Sequence, residues 1–197
     1  MKKTWLAGAL LLACASGAFA QHDHDKKPAM DPATAAMVAA GTPGAAHKTL
    51  DAMVGSWETK ASFWMAPGAP PMTSDGTSEN RWVMGGRYLE QRFKGSFGGM
   101  PFEGLGYTGY DNVKKQYWGT WMDSMSTAIM TTTGTASTDG KTWSFTGSMT
   151  DPMTGKDIQV DEKVFVTDAD HHTFEMWMPG PDGKSYKSME IVYSRKK

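Results

Sequence analysis

Residues 53–60, MVGSWETK, open the first predicted β-strand, and the Gly-Ser-Trp within them indicates how the chain folds. From Trp57 onward, apolar and small side chains alternate with Glu58 and other polar ones, so the apolar set shares one face of the strand. Residues 189–195 alternate in the same way near the end of the chain, and Arg195 lies on their apolar side. If the first and last strands are neighbours, Trp57 and Arg195 meet at one end of a closed sheet.

Short runs rich in Trp, Tyr, Phe, Thr and Val continue from residue 55 to the end of the chain, separated by turns rich in Gly, Asp, Asn and Pro. The connections are too short for crossover helices, so neighbouring strands are expected to pair antiparallel. An open sheet of this size would leave two unpaired edges, and closure removes them. The predicted fold is all-β, an antiparallel up-and-down β-barrel of about ten strands with a short N-terminal helical plug. The predicted strands lie near residues 55–65, 76–84, 87–94, 101–110, 116–123, 127–136, 142–150, 157–167, 172–178 and 185–195.

Residues 1–20 have the pattern of a secretory signal peptide. Lys2 and Lys3 precede an apolar run, and Ala18-Phe19-Ala20 forms an A-x-A cleavage site. The apolar run is too short to be a transmembrane helix. We therefore expect cleavage after Ala20 and export to the periplasm or out of the cell, which leaves a net charge of about −3. No basic block remains to bind phosphates, which argues against a nucleic-acid partner.

The single cysteine of the chain, Cys14, lies inside this segment. The mature chain is therefore expected to have neither disulfides nor a thiol nucleophile. One alternative stays open, because Leu11-Leu12-Ala13-Cys14 resembles a bacterial lipobox. Cleavage before Cys14 would leave a lipid anchor at the N-terminus.

The mature chain divides into a leader and one folded domain. Residues 21–42 are rich in His, Asp, Ala and Pro, and a short helix is predicted over 33–40. Residues 43–197 are expected to form the barrel domain. A second helix over 44–53 would plug the barrel.

The combination of Gly55, Trp57 and Arg195 resembles the calycins, the lipocalin and fatty-acid-binding superfamily. In that superfamily a G-x-W on the first strand packs under an arginine of the last strand, after a short helix that closes the barrel floor. The resemblance implies that these three residues close the barrel and have a structural rather than a catalytic role.

A closer resemblance is to the family known as domain of unknown function 1579, and it covers most of the mature chain. It implies a lipocalin-like barrel without an established activity, and it carries over no catalytic residues. The stretches that carry this resemblance are Pro43-Gly44, His47, Leu50, Val54-Gly55-Ser56-Trp57, Met84-Gly85-Gly86-Arg87-Tyr88-Leu89, Pro101-Phe102-Glu103-Gly104, Gly109-Tyr110-Asp111-Asn112, Trp121-Met122-Asp123-Ser124-Met125 and Tyr193-Ser194-Arg195.

Methionine is unusually frequent, with 16 residues, and many of them fall within predicted strands. Because methionine is flexible and apolar, it suits either core packing or an adaptable ligand cavity. We favour non-enzymatic binding of a small apolar or amphipathic molecule inside the barrel. The alternative is a packed barrel with a structural or interaction role at the cell envelope. Alternation along the strands gives the candidate ligand-lining residues Phe63, Trp82, Met84, Met122, Met130, Trp143, Phe174, Met176 and Met178.

Sequence motifs give no support to an enzyme. Residues 104–109 match G-x-G-x-x-G, but a dinucleotide site needs a helix after the strand, and here a hairpin turn follows. Asp123, at a strand end near the expected barrel mouth, suits turn capping, with a functional role as the alternative. An enzymatic activity is therefore not favoured, and no catalytic residue is assigned.

The histidines leave a haem or copper alternative open, and no cofactor is assigned. His22 and His24 in the leader are candidate ligands for copper or zinc, since imidazole binds both metals. A haem-binding barrel needs one inward histidine as an iron ligand. His171 and His172 are adjacent on a predicted strand, so at most one of them faces the interior.

Overall fold

Consecutive strands pair antiparallel around the whole molecule in the computed structural model, which describes residues 30–197. The first strand also pairs with the last, so the sheet closes into a ten-stranded barrel and the predicted fold is confirmed. The predicted signal peptide and the candidate ligands His22 and His24 lie outside the described residues. The strands are β1 Gly55–Phe63, β2 Met72–Val83, β3 Tyr88–Phe97, β4 Met100–Asp111, β5 Gln116–Asp123, β6 Met130–Ala136, β7 Thr142–Thr150, β8 Asp157–Val166, β9 His171–Pro179 and β10 Ser185–Arg195.

A short helix, α1, precedes the barrel and spans Pro32–Gly41. Asp31 caps it, because its Oδ1 accepts hydrogen bonds of 3.1 Å from the backbone N–H groups of Ala33 and Thr34. No residue of α1 is buried. The helices of the described region are all too short or too polar to cross a membrane.

The helix predicted over 44–53 is present but divided. The helix α2 spans Ala45–Lys48, and a 3₁₀ segment spans Thr49–Met53. At the junction the Thr49 hydroxyl donates to the carbonyl of Ala46 at 2.8 Å. This side-chain bond to the preceding turn accompanies the change to the tighter 3₁₀ geometry.

The 3₁₀ segment closes one end of the barrel as a plug. Leu50 is fully buried and Met53 nearly so, and both belong to one core cluster with Trp143 and Phe145 of β7. His47 is buried just before them, and its Nδ1 accepts a 3.1 Å hydrogen bond from the backbone three residues earlier. The plug therefore holds its own backbone in place and fills this end of the barrel.

Gly55, Trp57 and Arg195 lie together beside the plug, where β1 pairs with β10. The guanidinium carbon of Arg195 lies 4.1 Å from the centroid of the Trp57 ring. Arg195 Nη1 donates to the Val54 carbonyl at 2.9 Å, and Trp57 Nε1 donates to the Met53 carbonyl at 3.0 Å. Gly55 has a φ of +135°, and a side chain there would collide with the guanidinium. These contacts join the end of the plug to both terminal strands.

Candidate functional site

The end of the barrel opposite the plug has an apolar inner wall. Within residues 54–197 there is no helix to cover this end. Aromatic and methionine side chains face inward there and pack against the buried core around Ala61, yet they are only half-buried. Their apolar surface is thus available for contact with another molecule. We call this set the mouth, and it consists of Phe63, Phe102, Trp121, Phe174 and Met189.

Methionines surround the mouth on the loops and strand ends of the same end of the barrel. Their exposed fractions range from 38% to 90%, which is high for an apolar side chain. Flexible thioether side chains in such a position give an entrance that adapts to different shapes. These rim residues are Met65, Met72, Met100, Met125 and Met153.

Five of the nine predicted lining residues lie on the mouth side of the barrel. Phe63 and Phe174 belong to the mouth itself. Met130 is the register partner of Trp121, and Met176 is the register partner of Met189. Met178 follows at the next inward position of β9 and is half-buried.

Two predicted lining residues face inward at the plugged end instead. Trp82 packs against the plug cluster, and its Nε1 donates to Asp51 Oδ1 at 2.7 Å. Trp143 is fully buried in the same cluster, and its Nε1 has no hydrogen-bond partner among the described residues. Both indoles therefore pack at the plugged end of the barrel and do not line the mouth.

The last two predicted lining residues do not face the interior. Met84 lies in the turn between β2 and β3 and is 72% exposed. Met122 is the register partner of Leu105 and follows Trp121, which belongs to the mouth. Because successive side chains of a strand point to opposite faces, Met122 is on the outer wall. The sequence pattern of β5 allowed either alternation, and only the partner strands decide between them.

Glu162 is a buried acid inside the barrel that the sequence prediction missed. It lies on β8 between its register partners Phe145 and Met176, and it is 8% exposed. Burial raises the pKa of its carboxyl to about 7, and a hydrogen bond with Thr132 opposes this rise only in part. The sequence did hold a signal, since residues 158–166 carry one acid at an inward position among Ile and Val.

Thr132 of β6, which opposes the rise in the pKa of Glu162, is separated from β8 by one strand, β7. Gly147 of β7 is the register partner of both Thr132 and Val160. A Cβ atom on Gly147 would lie 2.6 Å from Cγ2 of Thr132, so any side chain there would push the threonine away. A Cβ atom on Gly119 of β5 would lie 2.8 Å from Oγ1 of Thr132, so glycines on both neighbouring strands leave room for this side chain.

The G-x-G-x-x-G stretch makes room for indole rings. A Cβ on Gly106 would lie 2.9 Å from the Trp121 ring, and one on Gly109 would lie 2.6 Å from the Trp118 ring. Asp123, beside Trp121, caps the following turn, because its Oδ1 accepts from the backbone N–H of Met125 at 2.9 Å. Its Oδ2 accepts from Trp121 Nε1, also at 2.9 Å, which orients the largest ring of the mouth.

The two histidines of β9 differ in position. His171 is exposed and its Nδ1 lies 2.9 Å from an oxygen of Asp168. His172 faces inward, 3% exposed, stacked on Tyr193 at 4.2 Å and edge-on to Trp57 at 4.4 Å. Burial, with a smaller effect of the Arg195 charge, lowers the pKa of His172 to about 3.

His172 is packed among aromatic side chains. Its Nδ1 is closed off from solvent and has no hydrogen-bond partner among the described residues. Its ring contacts both Trp57 and Tyr193. Residues 30–197 also contain no group of three or more His, Cys, Asp or Glu side chains arranged to hold a metal ion.

Two depressions are present in the surface of the described residues. One, of about 460 Å³, is lined by residues of β6, β7 and β8 such as Thr133, Thr146 and Gln159. The other, of about 440 Å³, lies between the plug and the turn before β7 and includes Thr49 and Tyr117. Neither is lined by a mouth residue or by any of the nine predicted lining residues.

Comparison with known proteins gives a family and a fold. The model of a protein family described as "Protein of unknown function (DUF1579)" matches residues 42–195. Rv2717c from M. tuberculosis is 17% identical, with a TM-score of 0.59, covering 79% of this chain and 100% of its own. The S-type phycobiliprotein lyase CPES from Guillardia theta is 13% identical, with a TM-score of 0.52, covering 76% of this chain and 92% of its own. At these identities the likeness shows the fold alone. None of the curated proteins compared with this chain matches it.

Proposed function

This chain belongs to the DUF1579 family of proteins of unknown function, and we propose that it binds a small apolar or amphipathic molecule at the mouth of its barrel. The observation that carries the proposal is the half-buried apolar inner wall of the mouth. Covering such surface with an apolar ligand stabilises the complex by about 25 cal/mol for each Å² removed from water.

The ligand would sit in the upper part of the barrel. Below the mouth the inner wall carries buried side chains, among them Ala61, Phe93, Val160 and Ile191. These residues continue the wall beneath the mouth. The flexible methionines of the rim would close over the part of the ligand that lies outside the mouth.

The alternative function is that of a structural or interaction protein whose barrel holds nothing. The buried residues at mid-height of the barrel and the position of the two depressions favour it. The two functions differ in a measurable way, because only the first requires the inner face of the mouth.

A matched pair of methionines tests the proposal. Met130 faces into the mouth opposite Trp121, whereas Met122 lies on the outer wall, and both are half-buried. We expect 1-decanol to bind the wild type in isothermal titration calorimetry. Met130→Gln should weaken this binding about tenfold, and Met122→Gln should leave it unchanged, because only the first substitution puts a polar group in the site. Absence of binding, or equal effects of the two variants, would support the empty structural barrel.

We also propose that the protein acts after export. The support is the sequence pattern of residues 1–20, with its A-x-A cleavage site. The intact mass of the protein, purified from the periplasmic fraction of a Gram-negative host, tests this. A chain that begins at Gln21 is the expected result. A lipid-modified chain that begins at Cys14 would establish the lipoprotein alternative, and an uncleaved chain in the cytoplasm would overturn export.

A further inference from the structure

The interior of the barrel has very few charges. Alternation and register along the ten described strands place only three charged side chains on the inward face: Asp123, Glu162 and Arg195. They lie at three different levels, with Asp123 at the mouth, Glu162 in the wall below it and Arg195 beside the plug. Asp123 is thus at the mouth, Glu162 lies between the mouth and the plug cluster, and the one base is at the plugged end.

Arg195 is already engaged and does not neutralise the acids. Its guanidinium lies over Trp57, and its Nε and Nη1 donate to the carbonyls of Ala169 and Val54, each at 2.9 Å. Asp123 is likewise engaged, with both oxygens accepting hydrogen bonds at the rim of the mouth. Glu162 forms no ion pair within residues 30–197, and Thr132 is the one polar partner that opposes the rise in its pKa.

A second buried glutamate shows what is missing at Glu162. Glu90 lies on the outer wall, 4% exposed, and pairs with Arg81 and Arg92, each at 2.8 Å. The hydroxyl of Tyr107 donates to it as well, and these partners lower the pKa of Glu90 to about 2. Glu162 has a similarly small exposed fraction but lies inside the barrel and forms no ion pair within residues 30–197, and burial raises its pKa to about 7.

One row of paired residues leads from the mouth to Glu162. Phe63 of β1 pairs with Met189 of β10, which pairs with Met176 of β9, which pairs with Glu162 of β8. The neighbours of Glu162 along this row, toward the mouth, are therefore all apolar. The aromatic rings of the mouth present faces that attract a cation and gain nothing from an anion.

Given this distribution of charge, we infer that the ligand is a cationic amphiphile, with an apolar chain in the mouth and a basic nitrogen paired with Glu162. This inference rests on the proposed function and names the chemical class of its ligand. A fatty-acid anion is disfavoured, because it would meet two carboxylates and no free base. The buried carboxylate gains from a cation the partner that the chain itself does not supply.

Three probes with the same ten-carbon chain test the inference: decylamine, 1-decanol and decanoate. Binding is measured by isothermal titration calorimetry at pH 8, above the pKa of Glu162 and below that of an alkylamine. We expect decylamine to bind about tenfold more tightly than decanol, and decanoate to bind more weakly than both. Glu162→Gln should remove the advantage of the amine and leave the affinity for decanol within about twofold.

Controls separate a lost charge from a damaged barrel. Glu162→Asp retains the charge and should retain the preference for the amine. Glu58→Gln removes an exposed acid of the outer wall and should change nothing. If decanol binds the wild type and the amine has no advantage, or if Glu162→Gln leaves the advantage intact, the inference is wrong while the proposed function stands. If none of the three probes binds, the proposed function itself has failed.

Discussion

Replacement of Glu162 by glutamine should change how the stability of the protein depends on pH. In the unfolded chain this carboxyl titrates near its ordinary value of 4.5, and burial raises its pKa to about 7 in the folded state. An acid with a raised pKa binds its proton more tightly when the protein is folded. Folding is therefore favoured below pH 4.5, and this contribution is lost as the pH rises through 7.

The size of the effect follows from the two pKa values. Each pH unit between them corresponds to about 1.4 kcal/mol, so a rise from 4.5 to about 7 corresponds to about 3 kcal/mol. The side chain introduced by Glu162→Gln is uncharged at every pH, so the variant does not lose this contribution to stability. Its free energy of unfolding, relative to the wild type, should therefore increase by about 3 kcal/mol between pH 4.5 and pH 8.

Urea denaturation followed by tryptophan fluorescence at pH 4.5, 6 and 8 measures this difference. Glu58→Gln, on the outer wall, is the control for the loss of a surface carboxylate. His172 also titrates on unfolding, but it is present in both proteins, so its contribution cancels in the comparison. A difference between Glu162→Gln and the wild type that stays constant across this range would refute the assignment of a buried, unpaired carboxyl.

Three further outcomes are expected. Arg195→Ala should lower the free energy of unfolding, measured in urea, by about 2–3 kcal/mol, because the variant loses the cation–π contact and two hydrogen bonds to backbone carbonyls. A loss below about 0.5 kcal/mol, which is usual for surface substitutions, would contradict the role of Arg195 in closing the barrel. Gly104→Ala should displace the Trp121 ring, with which its side chain would collide, and shift the tryptophan emission spectrum; an unchanged spectrum would contradict the contact. Folding lowers the pKa of His172 to about 3, so the wild type loses stability as the pH falls from 6.5 toward 3. His172→Phe should remove this part of the acid sensitivity. If the urea midpoints of both proteins change equally between pH 7 and pH 4, His172 does not contribute to the acid sensitivity.

Local patterns were enough to predict the architecture. Alternation with a period of two, turn residues at short intervals and the lack of helix-length segments after residue 55 predict ten antiparallel strands, and the strands are observed. The sequence also predicts that Trp57 and Arg195 meet, because both lie on the apolar faces of the terminal strands. Each of these features depends on residues that are close in the chain or on the single requirement that no edge remains open.

The tertiary structure decided which side chains line the interior of the barrel. In β5, Trp121 and Met122 are both apolar, so alternation alone does not show which of them faces inward, and the pairing with β4 places Met122 outside. The sequence shows Glu162 as one acid in an apolar strand, but not that its neighbours are Phe145 and Met176 rather than an arginine. Those neighbours are set by the register of ten strand pairs around a closed sheet. Register is a non-local property, because a shift of one residue in any pair exchanges the inner and outer faces of the strand.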